Sequence, residues 1–189
     1  AVQLHLLNGN DPDTVNACWS AADVFLSLVD NIQETFGLTP VEAMAAGLPI
    51  VASDWDGYSF TIRHGTDGYL VPTLAGSAPG LDGLIANLHA LSMETYQTYV
   101  GAVAQHTVVD VPLAADYLTK LLASPELRRV MGAAARERAR ALYDTEGFVV
   151  EGVLRESVRV AAGFESLTVM SMLAHEFADR RALSLELPA

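Results

Sequence analysis

Short apolar runs alternate with helical spacing through the first third of the chain, and helical spacing alone fills most of the rest. Val2 to Leu7 reads as a strand, closed by an Asn8-Gly9-Asn10 turn. Asp11-Pro12-Asp13-Thr14 opens a helix over Val15 to Ala22. Asp23 to Leu28 and Leu48 to Ala52 are continuous apolar runs, the pattern of parallel strands buried on both faces. Between them, Thr39 to Ala46 reads as a short helix ending at Gly47. Asp54 to Gly57 turns the chain, and Tyr69 to Val71, after an Asp67-Gly68 turn, makes a last short strand. Strands alternating with helices predict the α/β class, with a Rossmann-like parallel sheet.

After Pro72 the pattern changes. Ala75-Gly76-Ser77-Ala78-Pro79-Gly80 has the composition of a flexible connector. The spacing then predicts helices over Leu81 to Leu91, Met93 to Gln105, Pro112 to Ala123, Pro125 to Leu142 and Glu146 to Ala162. Ser124-Pro125-Glu126 is a strong helix start, with a capping serine, proline at the first position and an early acid. The expected organisation is an α/β binding part over 1–74, a helical insert with its connector over 75–111, and C-terminal helices over 112–189 packed on the same domain.

Composition narrows the functional classes. With 189 residues and 51% apolar side chains, the chain can bury a sizeable core. No apolar run approaches the roughly 18 residues of a transmembrane helix, and Ala1-Val2-Gln3-Leu4-His5 carries no signal-peptide pattern. The lone Cys18 cannot form an intrachain disulfide, which permits a reducing compartment. A net charge of −12 argues against a nucleic-acid partner, because such proteins bring cations to neutralise phosphates. Lys120 is the one lysine, and the arginines concentrate between Arg128 and Arg140, five of them on an apparent helix. A small anion would have to be met locally, by oriented amides or a few placed cations.

One segment fits that requirement. Glu34 and Glu42 lie eight positions apart, separated by a glycine and a helix start at Thr39-Pro40. Thr39 can cap and Pro40 can occupy the first helical position, and Glu42, three residues after Thr39, would complete a capping box. That purely local role leaves Glu34 and Gly37 unexplained. Gly37 has no side chain to shield the backbone, so a phosphate could approach the amides of Phe36, Gly37 and Leu38. The helix dipole adds about 0.3 to 1 kcal/mol for an anion placed there. Glu34, at the lip of the preceding strand, could accept hydrogen bonds from sugar hydroxyls.

The run Glu34 to Glu42 resembles the Glu-x7-Glu motif of the retaining glycosyltransferases of family four, the group 1 glycosyltransferases, which have the GT-B fold. Ala43-Met44-Ala45-Ala46-Gly47-Leu48-Pro49-Ile50-Val51-Ala52 is similar to the family's continuation. So are Gly65-Thr66-Asp67-Gly68-Tyr69-Leu70-Val71, Ser124-Pro125-Glu126-Leu127-Arg128-Arg129 and the strand Ala21-Ala22-Asp23-Val24-Phe25-Leu26. The likeness covers residues 2 to about 160, with one divergent insert. It implies the C-terminal half of a GT-B fold, which binds the nucleotide diphosphate sugar. In such enzymes Glu34 would be the catalytic carboxylate on the donor sugar, near its C3 and C4 hydroxyls. Thr35 to Thr39 would line the donor, with the amides of Phe36, Gly37 and Leu38 on the sugar or the distal phosphate, and Glu42 would hold the ribose. Retention of anomeric configuration is implied, with neither cofactor nor metal.

The resemblance also marks what this stretch of chain does not carry. The family's N-terminal acceptor-binding domain has no counterpart, nor do the Arg and Lys that the family places on the pyrophosphate. The expectation is a fragment, inactive by itself, from a cytoplasmic enzyme that in its longer form could sit at the inner face of a membrane. A further departure follows Asp56-Gly57, where the family has an acid and Tyr58-Ser59-Phe60-Thr61-Ile62 puts phenylalanine, read as a local packing difference.

Other signals carry less. Asp54-Trp55-Asp56 has the form of a metal-diphosphate motif, but paired acids after such a strand fit turn chemistry better. His175-Glu176 starts a zinc-protease pattern that Asp179 breaks. His5 reads as a packed core residue in a strand, and the Arg128 to Arg140 region as a solvated helix face. No Gly-x-Gly-x-x-Gly supports a dinucleotide cofactor. The competing functions are a GT-B epimerase or phosphorylase and a non-catalytic interaction module. A pyridoxal-dependent phosphorylase needs a buried lysine, for which Lys120 is a poor candidate.

Overall fold

Phe25 to Ser27 and Ile50 to Ser53, the cores of the two apolar runs, lie side by side as parallel strands. In the computed structural model, which describes residues 2–34, 37–75, 81–92, 95–160 and 163–177, the first elements are α1 (Pro12–Ala21), β1 (Phe25–Ser27), α2 (Leu38–Ala45), β2 (Ile50–Ser53), α3 (Gly57–Thr61) and β3 (Gly68–Val71). There follow β4 (Thr73–Ala75), α4 (Leu81–Ala90), α5 (Tyr96–Gln105), β5 (Thr107–Val109) and α6 (Val111–Ala123), then α7 (Pro125–Thr145), β6 (Val149–Val160) and β7 (Gly163–Ser171). The chain divides into two compact units, Asp23–Arg138 and Ala1–Ala22 with Ala139–Ala189.

The unit Asp23–Arg138 is of the α/β class. Its parallel sheet has the order β1-β2-β3, with Phe25 opposite Ile50 and Ile50 opposite Gly68. All four residues of β2 are buried, as an apolar run between two parallel neighbours requires. Val51 and Val71 join Ala114 and Leu121 of α6 and Met131 of α7 in one core cluster, so elements on both sides of the connector and the insert share it. From α2 come the buried Val41, Ala43 and Met44. Fully burying a side chain of the size of Met44 or Leu121 is worth about 1.5–3 kcal/mol.

The helix starts follow the sequence closely. Asp11 accepts from the Thr14 amide at 3.3 Å, and the Ser124 hydroxyl accepts from the Leu127 amide at 3.2 Å. Thr95 caps α5 through the Thr98 amide, while Met93 and Glu94, where that helix was expected to begin, lie outside the described residues. Tyr69–Val71 is not the last strand: β4 and β5 pair antiparallel, Leu74 opposite Val108. Three-residue strands leave too short a pattern to read. Of the expected connector only Ala75 is described, at the end of β4.

The unit containing both chain ends corrects three expectations. Residues 2–7 form no strand, and Val2, Leu4 and Leu6 are at least 84% exposed. A strand exists only against a ladder partner, which the described residues do not give it. His5 in that segment is exposed rather than packed. The helix expected over Glu146 to Ala162 is instead β6, paired antiparallel with β7 from Val149 opposite Ser171 to Val160 opposite Gly163. Gly147, at φ 83°, ends α7, and the valines that follow are stiff side chains that suit a pleated strand. Residues 178–189, with Asp179, lie outside the described residues. Among the described residues, no helix is long and apolar enough to cross a membrane.

Candidate functional site

The loop from Leu28 to Gly37 leaves the carboxyl end of β1 and enters α2, so the amino end of α2 stands at the carboxyl edge of the parallel sheet. Ligands of open α/β sheets sit outside that edge. Gly37 takes φ 76° and ψ 67°, a left-handed conformation that suits glycine, and no side chain caps the helix. The first intrahelical bond is from the Val41 amide to the Gly37 carbonyl, at 3.5 Å. Pro40 has no N–H, so the amides of Leu38 and Thr39 are the helical donors without an intrahelical acceptor. They carry the positive end of the helix dipole. Leu38 and Thr39 are exposed, and Leu38 and the exposed Glu42 are neighbours on one helix face, four residues apart.

This arrangement corrects the capping box. Thr39 is inside the helix rather than before it, because the left-handed Gly37 makes the turn and the residue after it is already helical. Among the described residues no hydrogen bond joins Thr39 and Glu42. Glu42 is thus released from the local role that its spacing suggested. Thr35 and Phe36 lie outside the described residues.

Glu34 and Gly37 are brought together by Tyr58, a residue that sequence reasoning passed over. Tyr58, on α3, is 2% exposed. Its hydroxyl lies 3.2 Å from the Ser27 hydroxyl at the end of β1, and it is close enough to the Glu34 carboxylate to feel its charge. Its ring lies against Gly37, where a Cβ would overlap the ring carbon Cε1. Burial pushes the phenol pKa up; the Ser27 hydrogen bond opposes that rise, and the Glu34 charge adds to it. Three residues earlier, the Trp55 indole donates to the Asn31 carbonyl at 3.1 Å, and the same carbonyl accepts the Glu34 amide at 3.1 Å. The one signal for Tyr58 was its place in the stretch that departs from the family pattern. Phe60, the departure actually singled out, is 81% exposed and makes no packing difference.

Asp54 accepts from the Ser59 hydroxyl at 2.6 Å, and Asp56 lends its carbonyl to the Ser59 amide, both of them turn chemistry at the start of α3. Among the described residues, no group of three or more His, Cys, Asp or Glu side chains is placed to hold a metal ion. Lys120 is exposed on α6, its Nζ 5.3 Å from the centre of the Tyr117 ring.

The arginines of α7 are not a uniformly solvated face. Arg136 donates to the carbonyls of Ala45 at 3.2 Å and Ala46 at 2.9 Å, at the carboxyl end of α2. Arg138 does the same to Phe60 and Thr61 at the end of α3. Arg128 reaches Leu121 and Leu122 at the end of α6 and pairs with Asp23 at 3.2 Å. Arg129, paired with Glu126, keeps the solvated role.

Residues 1–78 match the family model described as Glycosyl transferases group 1. Over 74 residues the chain is 47% identical to a phosphatidyl-myo-inositol mannosyltransferase of Mycobacterium leprae, a match covering 38% of this chain and 19% of that protein. A phosphatidyl-myo-inositol mannosyltransferase of Mycobacterium tuberculosis is 39% identical over 92 residues, covering 47% and 24%. A D-inositol 3-phosphate glycosyltransferase of Corynebacterium kroppenstedtii is 40% identical over 60 residues, covering 32% and 13%. The matched stretches span about a quarter or less of these relatives.

Proposed function

We propose that the chain, whose residues 1–78 match the group 1 glycosyltransferase model, is the donor-binding portion of a retaining glycosyltransferase, moving a hexose from a nucleotide diphosphate sugar to an acceptor. The observation that carries this reading is the amino end of α2. Its leading amides have no side-chain cap, and Glu34, three residues before Gly37, is half-buried. Orphan amides at a helix start suit a diphosphate, and a carboxylate suits sugar hydroxyls.

In this reading the amides of Phe36, Gly37 and Leu38 take the sugar or the distal phosphate. Charge developing on the leaving diphosphate is met by the positive end of α2. Glu34 orients the hexose, and Glu42, one turn along the exposed face from Leu38, holds the ribose. The reading calls for no metal. It requires an acceptor-binding domain and further cations on the pyrophosphate, so the chain by itself is inactive.

The test uses the full-length protein. Isothermal titration with UDP, GDP and their hexose derivatives should show saturable binding, weakened about tenfold or more in Glu42→Ala. Glu34→Ala should lower turnover about a hundredfold with the melting temperature unchanged. Absence of binding to any of these nucleotides would leave the non-catalytic interaction module as the better account. Equal losses of activity and melting temperature in Glu34→Ala would make that residue structural.

A further inference from the structure

We infer that Tyr58 is the positioning residue of the site, fixing the Glu34 carboxylate and the Gly37 turn in the geometry that a donor sugar needs. The inference rests on the donor-site reading above and assigns a role in it to a side chain that touches no substrate.

Three contacts converge on this one side chain. The hydroxyl is anchored at 3.2 Å to Ser27, at the end of β1 and so on a strand of the parallel sheet. The ring occupies the space that any side chain at residue 37 would need. The phenol faces Glu34, three residues before that glycine. Trp55 adds a fourth hold on the same loop by gripping the Asn31 carbonyl, which also receives the Glu34 amide. The segment from Asp54 to Tyr58, which in sequence begins like a metal motif, thus holds the chain between β1 and α2 at Ser27, Asn31 and Gly37.

The chemistry follows from the donor and acceptor inventory. A phenol has one proton to donate and lone pairs to accept. With the Ser27 hydroxyl donating to it, Tyr58 can donate to one oxygen of Glu34 in a charge-assisted bond. The other carboxylate oxygen is then held in a fixed direction, available to a pair of sugar hydroxyls. Tyr58 is almost wholly buried, so it acts through Glu34 and Gly37 rather than on the ligand. A carboxylate held within about 0.5 Å of its productive position is what separates a working site from a loose one.

Tyr58→Phe isolates the effect, because it keeps the ring beneath Gly37 and removes only the hydroxyl. The full-length protein, its Tyr58→Phe variant and Ser27→Ala are titrated with GDP-hexose and UDP-hexose and with GDP and UDP alone. Thermal unfolding and hydrogen exchange of the hydrogen-bonded Glu34 and Val41 amides are followed in parallel without ligand. Tyr58→Phe should weaken the accepted nucleotide sugar about tenfold while the bare nucleotide changes less than about twofold. Exchange at the Glu34 and Val41 amides should accelerate with the melting temperature nearly unchanged. Ser27→Ala, which leaves the phenol–carboxylate bond, should stay within about threefold of wild type for the nucleotide sugar. Equal affinities in Tyr58→Phe and wild type, or equal losses for sugar nucleotide and bare nucleotide alongside a fall in melting temperature, would overturn the positioning role alone. A wild-type protein that binds no nucleotide would overturn the donor-site reading, and this inference with it.

Discussion

At its carboxyl end, α2 leaves little unsatisfied. Gly47 turns left-handed at φ 79°, the amides of Ala46, Gly47 and Leu48 bond back into the last turn, and Arg136 takes the Ala45 and Ala46 carbonyls from α7. At its amino end, the same helix opens on Gly37 with no side-chain cap, with Leu38 and Thr39 exposed. The difference shows where this acidic chain places its few cations. Arg128, Arg136 and Arg138 sit on the carboxyl ends of α6, α2 and α3, where they compensate the negative end of each helix dipole. Among the described residues, no side chain caps the positive end of α2.

That contrast can be broken most forcefully at Gly37. Gly37→Val combines a left-handed backbone that a branched residue resists with overlap against Tyr58, and should cost about 3 kcal/mol in chemical denaturation. A cost below about 1 kcal/mol would mean that the turn rearranges easily and the amino end is not built as described. At the opposite end, Arg136→Ala should cost about 1–2 kcal/mol by uncovering two carbonyls. Arg129→Ala, where only the solvated pair with Glu126 is lost, should leave the unfolding midpoint unmoved. Similar effects at Arg136 and Arg129 would erase the distinction between docked and solvated arginines.

The smallest expected effect is on alkaline stability. The Tyr58 pKa is raised in the folded state, so folding holds the proton more tightly than the unfolded chain does. The contribution is therefore complete below the unfolded value of about 10 and is lost as pH rises through the folded value. Wild type should lose stability relative to Tyr58→Phe as pH rises above that point. A difference independent of pH would show that the phenol is not desolvated.

Much of the site was legible because its signals are local. Gly37, Pro40 and the acids at 34 and 42 announce a turn, a helix start and a carboxylate pair within nine residues. The capping box was misjudged because the same spacing serves two geometries, and only the backbone at Gly37 selects between them. Tyr58 was not legible, since nothing in Asp56-Gly57-Tyr58 says that the ring reaches a loop some twenty residues earlier. The hairpin of β6 and β7 was missed for a related reason: Val149 to Val160 satisfies a helical spacing as well as a strand, and the pairing with residues 163–171 decides.

The sequence by itself determined the parallel-strand runs, the turns at Gly37 and Gly47, and the helix starts at Asp11 and Ser124, because each depends on side chains within a few residues of one another. The tertiary structure alone decided which carbonyls the arginines take, across 90 and 91 residues for Arg136 and 77 and 78 for Arg138, and what lies beneath Gly37. Local periodicity records which face of an element is buried but not what buries it. That partner is chosen only when distant segments compete for the same surface, in a core with no room for two answers.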